Sequence, residues 1–312
     1  SPYLREGQMI ILNPGRTGGA LEVRNTLQEE HVTARIYVAE AQSLPYACRI
    51  TRPGSVRIAG IKNELPLAAL PADDTPYVLE SVQGLFPSFT PARHVLETSL
   101  GNIGAIFHPA VALFNISRIE EKAEFLFYKS VTPKIAAFLD KLDQERLAIG
   151  KAFGLELTTA SDWLTQTYDN IQGATLHDRI QSNTAYAAIS GPTNLKNRLL
   201  YEEVPTGLVP LIALGRIADI PTPLSSSLAI LASALTGVNF HTEGRTLARM
   251  GITGLSAESL LNKVLHKKRK PRPLQTGVRQ IELNQTEIET NSPQEVVRTA
   301  TAASSNPEAL LD

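Results

Sequence analysis

His108 is the residue with the most chemistry within reach. It lies in Asn102-Ile103-Gly104-Ala105-Ile106-Phe107-His108-Pro109. An imidazole carries protons near neutral pH, which suits general acid/base work. The segment around it, Thr98 to Ser117, contains no Asp, Glu, Lys or Arg. A hydrogen-bonded core histidine is therefore the competing reading. Pro109 and the two glycines favour the catalytic one, because they interrupt a helix beside the ring and open it to a cleft. Such a histidine needs a carboxylate to fix its tautomer. Glu202 and Glu203, in Arg198-Leu199-Leu200-Tyr201-Glu202-Glu203-Val204-Pro205, are the candidates. The competing reading for that run is a helix end with ordinary surface charges.

A second constellation is the loop Asn13-Pro14-Gly15-Arg16-Thr17-Gly18-Gly19. Backbone N–H groups at the start of a helix can hold an anion. The pattern is neither G-x-G-x-x-G nor a phosphate loop, and turn formation explains it as well. No metal site is expected. The six histidines are scattered without i, i+4 or His-Glu-x-x-His spacing, and one cysteine excludes an internal disulfide or a multi-cysteine centre.

The elements that must position these residues divide the chain. Residues 1–93 read as alternating α/β. Met9–Leu12, Arg35–Ala39 and Leu65–Leu70 are short apolar strands, Thr17–Glu30 and Thr75–Leu85 are helices, and Cys48–Lys62 is a hairpin turning at Pro53-Gly54. Residues 94–262 read as all-helical. Ile135, Phe138, Leu139, Leu142 and Ile149 recur near period 3.6, and Leu224, Leu228, Leu231 and Leu235 follow the start signal Pro221-Thr222-Pro223. Residues 263–312 are poor in large apolar groups and read as a mostly disordered tail. Its Lys267–Lys270 run reads as a solvated charged segment.

With 30 Lys+Arg against 31 Asp+Glu, the charge balance argues against nucleic acid or an anionic membrane surface as the main partner. Thr98–Ser117 is long enough to span a bilayer, but Gly101, Asn102, Gly104, His108, Pro109 and Asn115 make that costly, so a buried helical segment is expected. No basic-then-apolar leader is visible, which points to a cytoplasmic setting. The chain opens Ser1-Pro2-Tyr3 without Met.

Taken together, these segments resemble the NAD(P)-dependent octopine/nopaline (opine) dehydrogenases over about residues 5 to 255. The resemblance rests on Leu12–Gly19, Ala39-Glu40-Ala41-Gln42-Ser43-Leu44-Pro45-Tyr46-Ala47-Cys48-Arg49, Leu96–Leu100 through His108-Pro109, Leu142-Asp143-Gln144-Glu145-Arg146, and Gly191-Pro192 through Arg198 to Leu208-Val209-Pro210. It implies a Rossmann-type nucleotide domain followed by a helical catalytic domain, NAD or NADP as cofactor, and reductive condensation of an amino acid with a 2-oxo acid or the reverse. A homodimer is compatible with it. It places the catalytic pair on His108 and Glu203, where the acid is usually Asp. It places substrate contacts on Arg198, Arg16, Ser43, Cys48 and Asn102, and cofactor contacts on Gly15, Gly18 and Gly104. A cation at Arg16 would favour an acidic substrate. Gly104 stands where many members have Asn. No G-x-G-x-x-G occurs in the chain, so the mononucleotide-binding half is expected to be missing and the chain to be a fragment. Two other readings stay open: a helical interaction or dimerisation module that has lost catalysis, and a reductase of the 3-phosphoglycerol or 2-dehydropantoate type. The latter usually carries Lys where this chain has His108.

Overall fold

The computed structural model describes residues 3–62 and 64–265. Strand β1 (Met9–Leu12) leads through the glycine loop into α1 (Gly19–Glu29), and the chain returns in β2 (Tyr37–Ala41). A hairpin, β3 (Tyr46–Arg52) and β4 (Ser55–Ile61), forms its own two-stranded sheet before β5 (Leu65–Leu70), α2 (Thr75–Val82) and β6 (Phe89–Pro91). The main sheet has the order β1-β2-β5-β6, with β1/β2 and β5/β6 parallel and β2/β5 antiparallel.

Alternation along the strands explains how the sheet is covered on both faces. Ala39, Ala41, Leu67 and Ala69 pack with Val78 and Val82 of α2. Val38, Ala68 and Leu70 point the other way, into a core that continues through α1 into the helices beyond. This is an α/β Rossmann-like layer followed by an all-α array. No break in the core falls at residue 93: the described residues lie within one compact unit.

The helical array holds α3 (Val95–Leu100), α4 (Gly104–Phe114), α5 (Ile116–Glu120), α6 (Pro133–Ala152), α7 (Ala160–Thr167), α8 (Leu176–Ser182), α9 (Arg198–Tyr201), α10 (Val209–Ala218), α11 (Pro223–Thr236), α12 (Phe240–Glu243) and α13 (Ala257–Leu265). The long α6 starts where Thr132 caps it, its Oγ1 accepting from Ile135 N–H at 3.3 Å, with Pro133 in the first turn. The Asp143–Arg146 pair of α6 is buried. Its free donors and acceptors tie neighbouring helix ends together. Arg146 donates to Leu100 O and Thr158 O at 2.9 and 2.7 Å, and Asp143 accepts from Ala160 N–H at 2.7 Å. Glu145 accepts from Leu224 and Ser225 at the start of α11. A buried pair this fully bonded repays part of its desolvation and fixes relative helix positions.

Three readings of the sequence need adjustment. Thr98–Ser117 is not one helix: Gly101, Asn102 and Ile103 separate α3 from α4. Strand β6, only Phe89–Pro91, carries no sequence signal of its own. Helix α13 runs to Leu265, past the boundary expected at 262, and the remaining tail with Lys267–Lys270 lies outside the described residues. No helix among the described residues is long and apolar enough to cross a membrane.

Candidate active site

His108 sits one turn into α4, on the face that meets the chain after α9. Glu203 comes just before a π-helical turn, Val204–Leu208. Such wide turns insert an extra residue into a helix and are frequent at functional sites. Gly207 lets this turn close on α4: a Cβ there would lie 2.6 Å from Ala105 Cβ. The result brings the two residues together. His108 Nδ1 is 2.9 Å from Glu203 Oε1, and Glu203 is buried. Glu202 points elsewhere, half exposed, toward Arg16.

Burial pushes the Glu203 carboxyl up, but the hydrogen bond and charge of His108 and the guanidinium of Arg16 outweigh it and hold the group at about 2. Glu203 is therefore a carboxylate at neutral pH, and Nδ1 of His108 must donate to it. Nε2 of neutral His108 is then an acceptor. It lies 3.0 Å from the hydroxyl of Tyr128. Burial raises the Tyr128 phenol well above its ordinary range, so it stays protonated and donates to Nε2. Tyr128 is itself fixed by stacking on Tyr186, with ring centroids 3.8 Å apart. Nothing in the sequence signals Tyr128, one tyrosine among eight and in no motif with His108.

Arg16 does not present a free cation to a substrate, which corrects its expected role. Its guanidinium bridges Glu202 Oε2 at 2.6 Å and Glu203 Oε1 at 2.7 Å. It reaches there from a left-handed backbone, φ +56°, that non-glycine residues adopt only under constraint. The loop is seated by Arg245, which donates to Gly15 O and Thr17 O and pairs with Glu22.

Gly15 and Gly18 are also better explained by packing than by cofactor phosphate. A Cβ on Gly15 would lie 2.4 Å from Glu40 Cβ, and one on Gly18, at φ +77°, would lie 2.4 Å from Met250 Sδ. The loop's amides are already spent: Gly15 on Ala41 O, Thr17 on Thr206 O, Gly18 on Ser99 Oγ and Ala20 on Glu40 Oε2. Glu40 fills the place an anion would take, so the loop does not fit a pyrophosphate. An added Cβ on Gly104 would lie 3.1 Å from Glu203 Oε1, 3.2 Å from His108 Nδ1 and 3.3 Å from Asn102 Oδ1, so the glycine is what lets these three side chains approach one another over the start of α4.

Arg198 opens α9 behind an Asn197 cap, is exposed, and has no carboxylate within ion-pair distance among the described residues. Its charge reaches Tyr128. Ser43 accepts from Lys62 Nζ just beyond β2. Cys48 lies exposed on β3. No cluster able to hold a metal occurs among the described residues.

An ionised carboxylate orienting an imidazole, beside a Rossmann-like sheet and within a helical array, is an arrangement suited to proton transfer in a two-part α/β plus helical protein. A family model described as NAD/NADP octopine/nopaline dehydrogenase, alpha-helical domain, matches residues 91–236. An opine dehydrogenase of Arthrobacter sp. (strain 1C) is 40% identical over 263 residues, 84% of this chain and 73% of that protein. An opine dehydrogenase of Haliotis discus hannai is 27% identical, covering 71% of this chain and 61% of its own length. Octopine dehydrogenase solved with NADH and L-arginine superposes with a TM-score of 0.69 at 21% identity, over 87% of this chain and 74% of that one. Yersinopine dehydrogenase with NADP+ bound superposes with a TM-score of 0.64 at 15% identity, over 83% and 72%. The chain belongs to the NAD/NADP octopine/nopaline dehydrogenase family, and it is an oxidoreductase of the opine type. The expectation of a missing mononucleotide-binding half gains no support from these matches, which take in 73% and 74% of the Arthrobacter protein and of octopine dehydrogenase.

Proposed function

We propose that this chain condenses an amino acid with a 2-oxo acid, or cleaves the product, with His108 as the general acid/base. The observation that carries this is the 2.9 Å contact between His108 Nδ1 and the ionised Glu203. It leaves Nε2 as the only nitrogen able to take a proton. Imine formation removes oxygen from the oxo carbon as water, which requires a proton delivered to that oxygen, and the reverse reaction returns it. The nicotinamide cofactor, when bound, supplies the hydride as NAD(P)H or, in the reverse direction, accepts it as NAD(P)+. Asn102, Gly104 and His108 would face its nicotinamide. Arg198, unpaired and exposed at the start of α9, suits one substrate carboxylate. Tyr128 must yield Nε2 when substrate arrives. The division of labour follows the sequence reading: residues 1–93 for the nucleotide, 94–262 for catalysis. A non-catalytic module has no use for a buried carboxylate held ionised between an imidazole and a guanidinium, so that reading is not favoured.

The test is NAD(P)H oxidation by His108→Ala with an amino acid and a 2-oxo acid. Turnover falls by about 10²- to 10⁴-fold while cofactor fluorescence titrates unchanged. Equal turnover in the variant would remove His108 from the mechanism.

A further inference from the structure

Lys62 is a half-hidden ammonium that the dyad does not use. It follows β4 and closes the base of the hairpin, its N–H donating to Pro45 O at 3.0 Å. Its Nζ donates to Ser43 Oγ and lies 6.0 Å from the ring centroid of Trp163 on α7. Among the described residues no carboxylate lies within ion-pair distance of it, although nine ion pairs form elsewhere. A cation in such a place is costly, and burial pulls Lys62 down to about 8. Two of its three donors remain to be filled.

Two lines of contact join Lys62 to His108. On the sheet side Ser43 follows Gln42, whose amide donates to Gly101 O at 3.2 Å, next to Asn102. This is the carboxyl end of β2, the edge where open α/β sheets take their ligands. On the helical side the rings of Trp163, Tyr168, Tyr186 and Tyr128 touch in succession, at centroid distances of 5.9, 5.3 and 3.8 Å, and Tyr128 bonds His108. The aromatic row thus connects Lys62 to the ring of His108 through side chains alone.

We propose that Lys62, with Ser43, is the receptor for a second carboxylate at the far end of a substrate, carried on the side chain of the amino acid or on the 2-oxo acid. Arg16, the cation the sequence favoured for an acidic substrate, is already neutralised by Glu202 and Glu203. The proposal rests on the opine-type reading for its substrates.

The experiment compares each acid with its neutral counterpart: glutamate against glutamine with pyruvate, and 2-oxoglutarate against pyruvate with alanine. The pair whose acid is preferred identifies which substrate carries the distal charge. In the unaltered protein kcat/KM favours that acid by about ten- to a hundred-fold, the range of one charged hydrogen bond. Lys62→Met abolishes the preference and Lys62→Arg keeps part of it, with circular dichroism melts reporting the fold. A preference of one or less in both pairs, or one that Lys62→Met leaves unchanged, overturns the proposal. If no pair is turned over, the opine-type reading fails. Calorimetric titration with glutarate then decides on Lys62: binding lost in Lys62→Met supports the receptor, and equal or no binding in both proteins refutes it.

Discussion

Glu203→Gln is the sharpest perturbation of the site. The substitution keeps the shape of the side chain and removes its charge. In the folded protein Glu203 is held at about 2 against an ordinary 4.5, a difference worth about 3 kcal/mol in favour of the ionised form. That energy is what His108 and Arg16 gain from the carboxylate at Oε1, net of burial. With an amide, either its oxygen still accepts from Nδ1 and turns its NH2 on other groups, or the NH2 meets Nδ1 and forces the opposite tautomer. In the second case Nε2 carries the proton and cannot act as base. The asparagine substitution of the serine-protease aspartate, which the handling of tautomers there illustrates, lowers kcat by about 10⁴ for that reason. Here the expected loss in kcat is about 10²- to 10⁴-fold, with cofactor affinity unchanged. The sign of the pH effect follows as well. A depressed carboxylate contributes stability that is complete above about 4.5 and is lost as pH falls toward about 2. The variant should therefore lose less stability than the parent over that interval in urea titrations. Turnover within threefold of the parent would refute the tautomer argument, whatever the stability result.

Tyr128→Phe keeps the stack on Tyr186 and removes the donor to Nε2. The ¹⁵N shift of His108 Nε2 should move toward that of an acceptor without a donor while Glu203 keeps the Nδ1–H tautomer, and kcat fall by about two- to tenfold, the worth of one neutral hydrogen bond; an unchanged Nε2 shift would show that Tyr128 does not donate to it. His94 is buried, and burial, reinforced by Arg93, lowers it from 6.5 to about 4. Its contribution to stability is complete above about 6.5 and is lost as pH falls toward 4, to the extent of about 3 kcal/mol, so His94→Leu should flatten the decline in urea midpoints across that window.

What the sequence displayed was local chemistry and periodicity. The hairpin was legible because Pro53-Gly54 stands between β-branched runs, and α6 because its apolar residues keep a strict helical spacing. His108 and Glu203 were legible as residue types, and the resemblance selected Glu203 over Glu202. Partners supplied from elsewhere were not legible. Tyr128 meets His108 only because α8 and the turn at Thr184–Tyr186 hold its ring. Arg16 looked like a substrate cation because the carboxylates that absorb it lie 186 and 187 positions away. The glycine loop looked like an anion cradle because nothing local shows that Glu40, folded in from β2, occupies it.

Glu203 is brought to His108 through the backbone and through Arg16 together. The π-helical turn after Glu203 changes the spacing between the carboxylate and α10, and Gly207 lets that turn sit against α4. One carboxylate oxygen then serves both Nδ1 of His108 at 2.9 Å and the guanidinium of Arg16 at 2.7 Å. Arg16 arrives from the sheet side on a loop held by Arg245 and Glu22, whereas His108 belongs to the helical array. Glu203 is thus the joint at which the two layers meet. Displacing the loop would withdraw Arg16 and weaken the charge balance that keeps Glu203 ionised, so the carboxylate that orients His108 depends on the seating of a loop on the other layer.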